Sequence, residues 1–169
     1  MLPLMAAALV VIDQLTKAWS ARTFMPGESL SLALGFNLTY VENTGAAFGM
    51  FRNVSLELFG LQIDGVFLLG ILSALVSLGL LIYLLARGKQ LPLLGRTALW
   101  IVLAGAVGNM IDRFAHHFVV DFIHFQLSWF NFPVFNVADI CVVVGAGLLF
   151  VWGLQGDQPA TSRSSTAQD

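Results

Sequence analysis

Two aspartates lie in apolar surroundings, where an ionised carboxylate is costly. Asp121 interrupts the strand-like run VVDFI, and Asp139 lies in FNVAD at the start of an apolar helix. Two carboxyl groups that face each other share one proton, because like charges at contact distance cannot both ionise. One group then serves as base and the other as acid, and the pair can activate a water molecule for attack on an amide carbonyl. This chemistry needs no metal, and we expect no cofactor.

Further polar residues converge on the same end of the apolar segments. Asp13 and Lys17 form an i, i+4 pair in the first segment, with the acid on the favourable amino-terminal side. Asn109 and Arg113 are four residues apart at the end of the third segment and share a helix face. Asn136 is a good N-cap for the last segment. An ion pair, a helix end and a cap explain these residues singly, but their convergence on one face favours a functional site.

The histidines offer an alternative site. His116, His117 and His124 surround Asp121 in sequence, and imidazoles with a carboxylate can hold zinc. The sequence has no HExxH helix, and the histidines have irregular spacing on a predicted loop and strand. We therefore interpret them as ordinary interfacial histidines and predict no metal site.

Composition indicates which elements position these residues. The chain has 169 residues, of which 57% are hydrophobic and 11% charged. Soluble domains carry about 25% charged residues, so this chain cannot build a solvated surface. Its net charge of -2 gives no reason to expect a nucleic acid partner. A helix needs about 20 apolar residues to cross a membrane, and four runs approach or meet that length: 4–19, 66–86, 91–111 and 135–155.

One transmembrane domain, 1–156, is therefore predicted, followed by a disordered polar tail, 157–169. Short loops that are rich in Lys and Arg lie on the cytoplasmic side of a membrane protein. Arg87, Lys89 and Arg96 crowd the connection between the second and third helices, whereas the first connection holds Arg22 and Arg52 over a much longer stretch. We therefore expect cytoplasmic termini and a cytoplasmic tail. The polar residues then lie near the outer face.

Two stretches of the outer connections have a strand pattern. Alternate residues from Leu30 to Tyr40 are apolar, which is the period of a half-buried strand. The run from Phe118 to Phe125 is rich in aromatic and β-branched residues. A small sheet on the membrane surface is predicted.

Five ordered blocks resemble one known family. The sequence VIDQLTK is followed by ENTGAAFGMF, GNMIDR, VVDFI and FNVADI. Their order, with apolar helices between them, resembles the lipoprotein signal peptidases of bacteria, the type II signal peptidase family, over roughly residues 10 to 145. The resemblance implies an aspartic endopeptidase of the cytoplasmic (inner) membrane. Such an enzyme removes the signal peptide from a prolipoprotein by cutting before a diacylglyceryl-modified cysteine.

The resemblance also implies roles for individual residues. Asp121 and Asp139 match the catalytic dyad. The polar contacts around substrate and dyad would be Asn43, Asn109, Arg113 and Asn136, and supporting roles would fall to Asp13, Lys17 and Asp112. The implied fold has four transmembrane helices, a small extracytoplasmic β-sheet and a short surface helix. The implied partners are a lipid-modified prolipoprotein and membrane lipid, and we expect a monomer.

Two other classes of function remain open. A transport protein would also carry acids inside the membrane. Here, however, the acids cluster at one face, and no pair of interrupted helices suggests inverted repeats. A non-catalytic assembly subunit is the remaining alternative.

Overall fold

The computed structural model describes residues 1–45, 55–58 and 61–155. The predicted tail, 157–169, and the end of the ENTGAAFGMF block lie outside the described residues. Four long helices dominate the described chain: α1 (Leu2–Thr23), α2 (Gly65–Arg87), α3 (Leu93–His116) and α4 (Val137–Leu154). Six strands accompany them: β1 (Ser29–Ser31), β2 (Phe36–Asn43), β3 (Ser55–Leu58), β4 (Leu61–Asp64), β5 (Val119–Leu127) and β6 (Phe130–Asn131).

All four helices are long and apolar enough to cross a membrane. Large apolar side chains on them face outward, among them Leu75, Leu85 and Phe150. A water-soluble bundle would bury this surface, whereas a helix in lipid presents it to acyl chains. The prediction of a four-helix, multi-pass membrane protein is confirmed.

The end of α3 differs from its prediction. The apolar run ends at 111, but the helix continues to His116 and ends where His117 adopts a left-handed conformation with φ 60°. Asp112 lies within the helix, just before its last turn, and other elements supply partners for its carboxylate. Hydropathy therefore predicts where the apolar run ends but does not predict where the helix ends.

The helices approach closely at glycines of α3 and α4. A Cβ atom on Gly105 would overlap the carbonyl oxygen of Ala138, and one on Gly145 would lie 2.5 Å from Val102. Gly108 makes room for a side chain of α1, because a Cβ there would lie 2.6 Å from Oδ2 of Asp13. Helix α3 contacts the other three helices and is the centre of the bundle.

The strands form a four-stranded antiparallel sheet in the order β1-β2-β5-β6 and a separate β3-β4 hairpin. The predicted small sheet is confirmed. The alternating stretch from Leu30 to Tyr40 folds as two strands rather than one, because the chain turns at Leu34 and Gly35, both with positive φ. A Cβ on Gly35 would meet the carbonyl oxygen of Gln126 at 2.8 Å. The implied short surface helix has no counterpart among the described residues of this connection, 24–45, 55–58 and 61–64.

Candidate active site

The two aspartates singled out in the sequence meet at one residue. Asp121 lies on β5 and is 2% exposed, and Asp139 lies in the first turn of α4. Nδ2 of Asn136 donates to Oδ1 of Asp121 at 2.7 Å, and its backbone N–H donates to Oδ2 of Asp139 at 3.2 Å. Both carboxyl groups line one cavity of about 920 Å³. The structure therefore brings the two aspartates to the same cavity.

Asn136 begins α4 with a capping box. Its side-chain oxygen accepts the backbone N–H of Asp139 at 2.9 Å, while the Asp139 carboxylate accepts the Asn136 N–H. The cap therefore holds the carboxylate at the positive end of the helix dipole. Asn136 is 0% exposed and is not among the residues that line the cavity. Besides the two aspartates, its Nδ2 contacts Oδ1 of Asn109 and the carbonyl oxygen of Val120.

A β-bulge brings Asn43 to the cavity. Leu38 pairs with Ile123, whereas Val41 pairs with Asp121, so β2 has one more residue than β5 between these pairs. Adjacent strand residues point to opposite faces, and without the extra residue Asn43 would lie on the face away from Asp121. With the bulge, Nδ2 of Asn43 donates to Oδ2 of Asp121 at 2.9 Å.

Asn109 on α3 supplies the remaining side-chain donor. Its Nδ2 donates to Oδ1 of Asp139 at 2.8 Å. Its Oδ1 accepts from Nζ of Lys17 at 3.0 Å and from Nδ2 of Asn136 at 3.1 Å. Each of the four carboxylate oxygens of the two aspartates therefore accepts one N–H, and three asparagines provide all of these donors.

A buried ion cluster lies beside this network. Lys17 is 2% exposed, and its ammonium is 2.9 Å from Oδ2 of Asp13 and 3.0 Å from Oδ2 of Asp112. Oδ1 of Asp13 accepts the backbone N–H of Ala138 at 2.8 Å, and Oδ2 of Asp112 accepts that of Val120 at 3.0 Å. The cluster therefore ties α1 and α3 to the residues before Asp121 and Asp139.

One polar residue of this region is missing from the predicted set. Gln14 donates to Oδ1 of Asp112 at 2.9 Å and to the carbonyl oxygen of Gly108 at 3.2 Å. It ties α1 to α3. The signal in the sequence is an amide inside the apolar run beside Asp13, within the block VIDQLTK.

Arg113 lines the cavity with free donor capacity. Its Nη1 donates to the carbonyl oxygen of Asn109 at 3.3 Å and to Oγ of Ser73 at 3.4 Å. Its Nε is buried without a hydrogen-bond partner in the described part of the chain. A guanidinium has five N–H donors, so several remain for a bound molecule.

Asp121 is poised to hold a proton near neutral pH. Burial raises the pKa of its carboxyl group to about 7. The hydrogen bond from Asn43 lowers this pKa, the negative charge of Asp139 raises it, and the hydrogen bond from Asn136 and the charge of Lys17 lower it. A carboxyl group whose pKa lies this close to neutral pH can act as a general acid.

The histidines lie apart in separate contacts. Nδ1 of His124 lies 3.2 Å from Oγ1 of Thr39, and its Nε2 lies 2.7 Å from Oδ1 of Asn131. His117 lies 3.7 Å from an exposed Asp64, and the ring of His116 stacks on Phe118. Within the ranges that the structure describes, no three histidine, cysteine or acidic residues gather as a metal site would require.

The cavity has a polar end and an apolar end. The polar end carries Asn43, Asn109, Arg113, Asp121 and Asp139. The apolar end is lined by side chains of the β6 region and of the outer face of α4, namely Phe130, Phe132, Ile140, Val143 and Val144. Val143 is 70% exposed on a helix that spans the membrane, so this end of the cavity faces lipid.

Comparison with known proteins gives consistent matches. The model of the signal peptidase (SPase) II family matches residues 5–155. The chain is 48% identical to a lipoprotein signal peptidase of Symbiobacterium thermophilum over 149 residues, which cover 87% of this chain and 90% of that protein. It is 39% identical to a lipoprotein signal peptidase of Gloeobacter violaceus over 168 residues, which cover 98% and 89% of the two chains. Among solved structures, one bacterial membrane enzyme shares 29% identity and superposes with a TM-score of 0.75 over 98% of this chain and 92% of that chain.

Proposed function

The chain belongs to the signal peptidase II family, and from that premise we propose that Asp121 and Asp139 are its catalytic dyad. The family consists of proteases that remove signal peptides from prolipoproteins. The observation that carries the proposal is that Asn136 donates to both carboxyl groups where they enter one cavity. The same geometry serves an aspartic mechanism, which needs one protonated and one ionised carboxyl group.

We assign the acid to Asp121 and the base to Asp139. Asp121 is the more buried of the two, and its pKa, raised by burial to about 7, leaves a large protonated fraction near neutral pH. Asp139 is less buried, lines the same cavity and accepts a backbone N–H and the amide of Asn109. Asp139 therefore takes the proton from the attacking water.

The reaction then follows from these assignments. The water oxygen bonds to the carbonyl carbon as Asp139 accepts its proton, and Asp121 donates its proton to the carbonyl oxygen. The resulting gem-diol collapses when Asp139 protonates the amide nitrogen and the carbon–nitrogen bond breaks. A diol hydroxyl returns its proton to Asp121, so the dyad again carries one proton. The products are a carboxylic acid and an amine.

Arg113 and the asparagines serve binding and orientation. Arg113 has unused guanidinium donors at the polar end of the cavity, and carbonyl oxygens of an extended peptide are suitable acceptors. Asn43 and Asn109 line the cavity and donate to the dyad. We infer that a substrate backbone lies between Arg113 and the carboxyl groups.

The apolar end of the cavity suits the lipid of a modified precursor. Ile140, Val143 and Val144 of α4 line it and are exposed on a membrane-spanning helix. Acyl chains attached to a cysteine beside the scissile bond can remain in lipid here while the bond reaches the dyad. We propose that the substrate is a prolipoprotein with a diacylglyceryl-modified cysteine and that the chain acts as a monomer.

A polar group at the apolar end should weaken binding of the lipidated precursor. Asn in place of Val143 puts an amide against the acyl chains, and burying an amide without a partner costs about 1–3 kcal/mol. We expect the KM to rise about tenfold, since 1.4 kcal/mol is a factor of ten. The kcat should change little because the dyad is untouched. The measurement is steady-state cleavage of a diacylglyceryl-modified precursor by purified protein in detergent.

The matched control is Val151→Asn. Val151 is exposed on the same helix but is not among the residues that line the cavity. Its variant should retain the normal KM. An equal rise in KM for both variants, or none for Val143→Asn, would remove the acyl-binding role from this end of the cavity. Failure of the unaltered protein to cleave the lipidated precursor would reject the proposed substrate.

We further propose that the protein spans the bacterial cytoplasmic membrane with both termini in the cytoplasm and the dyad near the outer face. The proposal rests on Arg87, Lys89 and Arg96 between α2 and α3. Trp129 beside β6 and Lys89 are both exposed and lie in connections that this topology places on opposite sides. Cys141 is buried and gives little background reaction.

Cysteine labelling tests the topology. In sealed spheroplasts, a membrane-impermeant maleimide should label Trp129→Cys. It should label Lys89→Cys only after the membrane has been permeabilised. The same pair of variants in detergent should react equally and serves as the control. Labelling of Lys89→Cys in sealed spheroplasts would reverse the orientation and place the dyad near the cytoplasmic face.

A further inference from the structure

Lys17 lies one side chain away from the proposed dyad. Its Nζ donates to Oδ1 of Asn109 at 3.0 Å, and Nδ2 of Asn109 donates to Oδ1 of Asp139 at 2.8 Å. The ammonium, the amide and the carboxylate therefore form one continuous hydrogen-bonded row from α1 through α3 to α4. Lys17 itself is 2% exposed and is not among the residues that line the cavity.

The ammonium fixes which end of the Asn109 amide faces Asp139. An ammonium group has three N–H donors and no acceptor, and here the three partners are Asp13, Asp112 and the Asn109 oxygen. Rotating the amide by half a turn would put its NH2 group against the ammonium. The same rotation would put its oxygen against the Asp139 carboxylate. Both contacts would be repulsive, so one orientation is selected.

Neutralising the charges of Asp13 and Asp112 does not require the third contact of the ammonium, its hydrogen bond to Asn109. Asp13 and Asp112 each have a second partner, because Asp13 accepts the N–H of Ala138 and Asp112 accepts that of Val120. An ion pair that only joined α1 to α3 would be complete with these two acids. The bond to Asn109 is the one that reaches toward the reaction site.

From this geometry we propose that Lys17 is a positioning residue. It holds Asn109 as a donor to Asp139 and sets the pH range over which the dyad carries a single proton. The inference rests on the proposed function of Asp121 and Asp139. It assigns Lys17 no contact with the substrate.

The positive charge of Lys17 also affects how tightly the dyad binds protons. The charged groups around the dyad are Lys17 and Asp13 from α1, Arg113 and Asp112 from α3, and the two aspartates themselves. Burial raises the pKa of Asp121, and the Lys17 charge opposes that rise. Without Lys17 the dyad holds its protons more tightly, so both limbs of the pH–rate profile should move to higher pH.

The test compares two variants with a matched control. Lys17→Met keeps the length of the side chain and removes its donors and charge. Lys17→Met with Asp13→Asn keeps the net charge of the cluster, because one cation and one anion are lost together, and the amide oxygen of the new side chain can still accept the N–H of Ala138. The control, Gln14→Met, removes a neighbouring tie between α1 and α3 that does not reach Asn109.

Both Lys17 variants should lose about a hundredfold in kcat, the lower range for general acid–base catalysis. Their KM for the lipidated precursor should remain within about threefold, since a positioning residue acts on the chemical step. In Lys17→Met, both limbs of the pH–rate profile should rise by about one unit, as expected for loss of a nearby opposite charge. In the charge-balanced double variant the limbs should move less, because an anion is lost together with the cation, while the kcat still falls. Gln14→Met should lower the thermal unfolding temperature and leave both limbs in place.

A purely structural role predicts a different result. If the charge-balanced double variant folds with an unchanged kcat, or if Gln14→Met shifts the limbs as far as Lys17→Met does, the positioning role is wrong. Lys17→Met alone is not decisive if it fails to fold, and the double variant then decides. Normal activity of Asp139→Asn would instead overturn the dyad. An inactive Asp139→Asn beside Lys17 variants with a normal kcat overturns only the present inference.

Discussion

Asparagine in place of Asp121 or Asp139 should lower the rate of precursor cleavage by at least about three orders of magnitude, as removal of one member of a catalytic unit does. The substitution keeps the size of the side chain but removes the shared proton on which the mechanism depends. At position 121 it also sets an amide against the amides of Asn43 and Asn136, which both donate to the native carboxylate. The measurement is cleavage of a diacylglyceryl-modified precursor by purified protein.

Folding must be separated from chemistry in this experiment. Asp139→Asn loses a helix-dipole interaction of about 0.3–1 kcal/mol and can keep part of the cap, so the protein should still insert and fold. The matched control is Asp64→Asn, because Asp64 caps α2 through the N–H of Phe67 at 2.7 Å and is not among the residues that line the cavity. This variant should cleave at the normal rate. If Asp139→Asn and Asp64→Asn lose cleavage activity equally, the loss is due to folding.

Alanine in place of Asn136 should have the second largest effect. It removes the donor to Asp121 and the acceptor of the Asp139 N–H, so the two carboxyl groups lose the residue that joins them. We expect the kcat to fall at least about a hundredfold, in the range of a lost general acid–base arrangement. Loss of the cap should also lower stability by about 0.5–2 kcal/mol. Cleavage assays and thermal unfolding measure the two effects.

A second cap separates these contributions. Asp64→Ala should cost a comparable cap energy at α2 and leave the rate unchanged. Asn136→Asp keeps a good cap residue but replaces the amide donor with a third carboxylate. This variant should therefore fold but lack cleavage activity. Full activity of Asn136→Ala would show that the joint contact with both aspartates is dispensable for catalysis.

The helices and the dyad candidates could be predicted from the sequence because strong local signals mark them. Each helix needs its own run of apolar residues to cross lipid, so length alone located four. Asn109 and Arg113 are on one face by their spacing, and Asn136 is a cap by its type. Asp121 stood out because a carboxylate inside an apolar strand needs an explanation.

The contacts between elements could not be predicted in the same way. The extra residue in β2 has no sequence signal, yet it decides whether Asn43 faces Asp121 or points away. The sequence pairs Lys17 with Asp13, but the bonds to Asp112 and Asn109 depend on how α1 packs against α3. The apolar run predicts too early an end for α3, because tertiary partners allow polar residues to continue a helix beyond its apolar run.

The double variant Asp121→Asn/Asp139→Asn tests the central claim most directly. Residues that act as one unit are strongly non-additive. The double variant, compared with each single variant and with the unaltered protein in the same cleavage assay, should therefore lose no more than about tenfold beyond the single variants. All three variants should retain a cooperative thermal unfolding transition. Losses that multiply, or an Asp139→Asn protein that cleaves at near the normal rate, would contradict the shared-proton dyad.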